Sequence, residues 1–134
     1  MDVEHRVYLI RMQLGEQKEV INELVEKIND PSYKMERAAI NKTTIIEIEP
    51  FLAGVVSETE FLQDTTNSVS DPKVQKEQLC EAYYYVGMKH LILGDTNGAT
   101  SFFQRCINAG PLMFGEEGYD DYNSAEAELR ALKK

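Results

Sequence analysis

Tryptophan is absent from this 134-residue chain, and cysteine, histidine and proline are scarce, at two, two and four residues. Each shortage narrows the reading. Cys80 and Cys106 show no metal-binding or redox spacing, which suits a reducing compartment, and they read as two core thiols. The four prolines and eight glycines include several that sit where helices would begin or end. That punctuation favours helices over a sheet protein with many short turns. No apolar run approaches the roughly 20 residues that cross a bilayer, so membrane insertion is not expected. Basic side chains are outnumbered 14 to 23, for a formal charge of −9. Such a surface repels phosphate backbones and anionic membranes, so nucleic acid is not an expected partner. It would steer in a basic peptide, although a plain solubility surface has the same composition. The opening Met1-Asp2-Val3-Glu4-His5-Arg6 is polar and mixed in charge, unlike a signal peptide. A cytoplasmic location is therefore expected, or a periplasmic one if a signal sequence has been removed.

What is present fits one helical domain over residues 1–134, with 43% hydrophobic and 28% charged residues. Residues 4–14 read as a first helix with Val7, Ile10 and Leu14 on one side and Gly15 as its stop. Val20, Ile21, Leu24, Val25 and Ile28 recur at helical spacing in a second helix, so residues 4–29 should form an antiparallel hairpin. Asp30-Pro31 starts a third helix carrying Met35, Ala38, Ala39, Ile45, Ile46 and Ile48. Its β-branched run 43–46 also fits a strand. Pro50 ends that helix, and residues 50–55 make a short one. Ser57 and Glu60 have capping-box spacing ahead of Phe61 and Leu62, residues 65–70 look like a loop, and Asp71-Pro72 opens the longest helix.

The strongest signal lies in residues 80–113. Tyr83, Val86-Gly87 and His90 form one group, and Ala99, Cys106, Phe103 and Pro111 a second, with Leu93-Gly94-Asp95 as the turn between them. Gly87 and Ala99 let two antiparallel helices approach, and Tyr83 and Phe103 fill the volume beside them. Gly94 permits the left-handed turn, and Asp95 or Thr96 caps the second helix. On these residues the segment resembles a tetratricopeptide repeat of about 34 residues. Tyr83 stands for the usual tryptophan, Val86 for leucine and His90 for tyrosine. Residues 50–132 are similar to the repeat region of small bacterial adaptor lipoproteins, through Phe51-Leu52-Ala53-Gly54, Ser57 to Leu62, Leu79 to Tyr84 and Ala125 to Leu129. No cysteine follows a signal sequence, so a lipid anchor is not carried over. The resemblance implies an all-α fold of stacked antiparallel hairpins, a short α-solenoid. Residues 4–29 would be a degenerate repeat, with Tyr8 where a small residue belongs. A capping helix over 119–133 would pack through Tyr122, Ala125, Leu129 and Leu132, with Asn123 and Glu126 as its capping box.

No catalytic residue, cofactor or metal site is expected. Cys80 and His90 are ten residues apart on one helix, a rise of about 15 Å, too far for a dyad. Glu116-Glu117-Gly118-Tyr119-Asp120-Asp121 lacks the ligand order of a calcium loop and reads as a solvated helix start. Asn41-Lys42-Thr43 matches a glycosylation acceptor, a motif common by chance.

In the resembled fold the first helix of a repeat lines a concave surface, which implies that Tyr84, Met88, Leu91 and Ile92 face a protein or peptide partner. Tyr84, Met88 and Ile92 share one stripe at four-residue steps. Their apolar character disfavours gripping a charged carboxy-terminal tail. Either another helix of the chain covers the stripe, or it receives an apolar or amphipathic peptide or a second copy of the chain. The expected function is a non-catalytic protein-protein interaction adaptor. The alternative is a structural oligomerisation module of a larger assembly.

Overall fold

A computed structural model describes residues 3–39, 47–68, 70–109 and 116–132, with the side chains of 3, 37–39 and 116–122 outside that description. Among the described residues there are eight helices and no strand: α1 (Val3–Gln13), α2 (Gln17–Asn29), α3 (Pro31–Ala39), α4 (Ile48–Leu52), α5 (Glu58–Asn67), α6 (Pro72–Ile92), α7 (Thr96–Ala109) and α8 (Glu116–Leu132). The described residues are all-helical in their regular structure, as the capped periodic segments imply. The β-branched run 43–46, the Asn41 acceptor and Pro111 lie outside the described residues.

Local chemistry explains most boundaries. Asp30 Oδ1 accepts from Ser32 N at 2.8 Å and Asp71 Oδ1 from Lys73 N at 2.9 Å, each ahead of a proline that needs no N–H partner. Ser57 Oγ accepts from Glu60 N at 3.1 Å and starts α5. Gly15, Gly54 and Gly94 have φ of +99°, +80° and +85°, the left-handed turns that end α1, α4 and α6.

Four expectations need correction. Helix α4 starts at Ile48, two residues before Pro50, because a proline in the first helical turn breaks no hydrogen bond. Residues 65–67 belong to α5 rather than to a loop: the Thr65 and Thr66 hydroxyls donate back to the carbonyls of Phe61 and Leu62, at 2.7 and 2.8 Å. Helix α8 begins at Glu116, so Asn123 lies within it and caps nothing. The packed side of α1 is Tyr8, Leu9 and Met12, whereas Val7, Ile10 and Leu14 are exposed.

Helix α6 is the hub. It pairs with α7 along the hairpin closed at Gly94, α8 packs on both of these helices, α5 runs along α6, and α1 and α4 also touch it. Tyr85, Phe51, Phe61, Phe103, Leu24 and Met88 are among the protein's largest fully buried side chains, all within one continuous core. None of the described helices is long and apolar enough to cross a membrane.

Candidate functional site

The α6–α7 crossing is set by its small residues. A Cβ built on Gly87 would lie 2.7 Å from Phe103 Cδ1 and Cε1, so only glycine allows this approach. Ala99 and Cys106 are fully buried on the facing helix. Cys80 Sγ and Cys106 Sγ sit 3.0 Å apart in the same interface.

The expected partner-facing residues divide into two groups. Tyr84 is 6% exposed and Met88 2%, so both are sealed within the chain. Leu91 and Ile92 are half-buried, packed against the core at the C-terminal end of α6. Helix α1 and the start of α2 reach α6 here. The ring of His5 meets that of Tyr85 edge-on, with centroids 5.9 Å apart, and Gln17 Nε2 donates to the Ile92 carbonyl at 3.4 Å. Tyr84 also contacts Tyr85 and Phe103 through its ring. The alternative in which the chain covers its own stripe therefore holds for Tyr84 and Met88.

A polar cluster fixes α1 in place. His5 Nε2 lies 3.1 Å from Glu49 Oε1, Lys27 Nζ lies 2.9 Å from Glu49 Oε2 and 2.8 Å from Glu4 Oε1, and the Tyr8 hydroxyl donates to Glu4 at 2.8 Å. Burial pushes the Glu49 carboxyl up, but the hydrogen bonds from His5 and Lys27 outweigh it and bring the pKa down to about 2. Burial and the bond to Glu4 push Tyr8 up to about 12. The order Tyr85–His5–Glu49, with the Tyr85 hydroxyl 3.5 Å from His5 Nδ1, has the look of a proton relay. Tyr85 is fully buried, however, and offers no face to a substrate, so the cluster acts as a clamp between α1, α2, α4 and α6.

A second clamp surrounds His90. Its Nε2 lies 2.6 Å from Glu58 Oε1 and its Nδ1 2.8 Å from Asp95 Oδ2, while its ring stacks on Phe102 at 5.2 Å. Burial pulls the imidazole pKa down, yet the two carboxylates outweigh it and raise the value above 6.5. Asp95 also accepts from Gly98 N at 2.9 Å, so one carboxylate caps α7 and holds His90. Lys89 donates to the Phe51 carbonyl at 2.9 Å, and burial lowers its pKa. Among the described residues no group of three or more His, Cys, Asp or Glu is arranged to hold a metal ion.

The sequence reading missed the exposed side of α1. Val7, Ile10 and Leu14 are 46%, 47% and 75% exposed, and Leu93, just past α6, is 69% exposed. The bond from Gln17 to Ile92 brings the first residue of α2 beside the end of α6. Helical spacing did place Val7, Ile10 and Leu14 on one side, but it did not say that this side faces water. No family model, curated protein or solved structure matches the chain.

Proposed function

We propose that the chain is a non-catalytic adaptor of the tetratricopeptide type, which binds a protein or peptide through a helix-lined surface. Support for the repeat comes from the α6–α7 hairpin. The spacing of Gly87, Gly94, Ala99 and Phe103 coincides with its close crossing and its turn. Helix α8 packs on both members, as the first helix of a following repeat would, and α5 packs on α6 as well. Residues 4–29 form the hairpin α1–α2 and serve as the degenerate repeat in this reading.

The observation that carries the binding function is the exposed apolar stripe Val7, Ile10 and Leu14 along one side of α1. Scattered exposed leucines need no explanation, but aliphatic side chains aligned on one helix face favour a docking role. Tyr84 and Met88 are sealed in the core and lie outside that surface. The same stripe would serve the alternative, a structural oligomerisation module.

The test compares wild-type chain with the pair Ile10→Glu and Leu14→Glu, and with the exposed control Gln104→Glu on α7. Proteins retained from native lysate by the wild type and the control, and lost in the pair at unchanged melting temperature, support the adaptor. Identical retention by all three overturns it. Light scattering over a concentration series separates the alternative, because an oligomerisation module self-associates without any other protein and the stripe variants would abolish that.

A further inference from the structure

Cys80 and Cys106 are 26 positions apart in sequence, yet their sulfurs are 3.0 Å apart. Both are fully buried. A disulfide needs a sulfur separation of about 2.05 Å, so about 1 Å of movement separates this contact from a covalent bond. The helices that carry the thiols are already at close range, since only the missing side chain of Gly87 lets α6 approach the Phe103 ring. A metal site would need further ligands, and none is grouped with this pair among the described residues.

We propose that Cys80 and Cys106 are an oxidisable pair that forms an intramolecular disulfide and staples the α6–α7 hairpin when the chain meets a disulfide oxidant. With oxidised glutathione the step balances. The thiolate of one cysteine attacks a glutathione sulfur, the glutathione S–S bond breaks, and one reduced glutathione leaves with the proton. The second cysteine, as thiolate, then attacks the sulfur of its partner, the mixed S–S bond breaks, and a second reduced glutathione leaves. Two protein thiols are oxidised and one glutathione disulfide is reduced to two thiols. Because both sulfurs are sealed in the interface, the first attack waits on an opening of the hairpin. The pair is thus slow to oxidise in the closed fold, whereas its equilibrium favours the bond.

The full chain is equilibrated in glutathione redox buffers of graded ratio, once folded and once in urea. Opening at the start by a denaturation–refolding cycle ensures that access does not limit the result. The disulfide fraction is read by intact mass, as the loss of two hydrogens, and by a non-reducing peptide map linking the segments that contain Cys80 and Cys106. The expected result is an effective concentration of the pair at least about tenfold higher in the folded chain than in urea. A melting temperature that rises on oxidation and returns on reduction accompanies it. An effective concentration no higher folded than unfolded overturns the proposal. So does a chain that stops at mixed glutathione disulfides, or one that couples only to a second chain. Cys80→Ser and Cys106→Ser are the controls: each should stop at one mixed disulfide, and a linkage persisting in either would overturn the assignment of the pair.

Discussion

Replacing Gly87 by alanine should destabilise the chain, although alanine is the better helix former. Within a helix interior the change from glycine to alanine gains about 1 kcal/mol from backbone propensity. At Gly87 the new methyl carbon would lie 2.7 Å from two carbons of the Phe103 ring and 3.2 Å from a third. The ring cannot step aside, because Phe103 is fully buried between α6 and α7 and touches Tyr84 as well. Overpacking of this kind typically costs about 1–3 kcal/mol. The net expectation is a loss of up to about 2 kcal/mol, or several degrees in Tm for a chain of this length.

A double-mutant cycle isolates the cause. Phe103→Ala alone removes a buried aromatic and should cost about 3–5 kcal/mol. In that background the Gly87 methyl group meets space rather than a ring, so Gly87→Ala should stabilise by its propensity gain. The coupling between the two sites is then about 1–3 kcal/mol, well above the additivity error of about 0.5 kcal/mol for independent sites. Urea unfolding of the four proteins measures it, provided that the m-values agree. If Gly87→Ala stabilises the parent chain by about 1 kcal/mol and the two changes add, the close crossing does not exist.

Met88→Glu should destabilise by several kcal/mol or keep its carboxyl protonated, since the side chain is sealed; a Tm equal to that of the parent would reopen the stripe as a surface. His90 gains two carboxylate partners and its folded pKa is raised, so its contribution is complete below pH 6.5 and is lost as pH rises through the folded value. Tm should therefore fall on that side for the parent, and the slope should flatten in His90→Gln; equal slopes would remove the clamp from the account. Glu49 behaves in the opposite sense: with a pKa near 2 in place of 4.5, its stabilisation is complete above 4.5 and is lost as acid titrates it. Glu49→Gln should weaken that acid transition and lower Tm at neutral pH, because Lys27 and His5 lose their shared carboxylate; an unchanged acid midpoint would refute this.

The sequence made the α6–α7 hairpin legible because its determinants are local and recur at fixed spacing. Gly87, Gly94, Ala99 and Phe103 each fill a position whose steric demand excludes most other residues. The caps at Asp30, Ser57 and Asp71 were legible for the same reason, since a side-chain oxygen need only reach an N–H two or three residues on. The end of α5 was not, because threonine hydroxyls that turn back on their own helix look in sequence like a polar loop. Asn123 and Glu126 have capping-box spacing, yet the helix had already begun at Glu116. The two histidine clamps and the sulfur pair were also hidden, since they join positions 44, 32 and 26 residues apart.

The orientation of α1 shows how such long-range polar pairs decide what apolar pattern leaves open. The helix has Tyr8, Leu9 and Met12 on one side and Val7, Ile10 and Leu14 on another, so burial alone gives it nearly equal reason to turn either side inward. The charged groups break that tie. In the observed rotation His5 reaches Glu49 and Tyr85, while Glu4 reaches Lys27 and accepts from Tyr8. Turning the other side inward would carry His5 away and leave the buried Glu49 carboxylate with Lys27 alone, and an under-partnered buried charge costs several kcal/mol. The ionic cluster thus selects a rotation as well as stabilising the fold. Its consequence is an aliphatic stripe left on the surface, where the same three side chains would otherwise have been core.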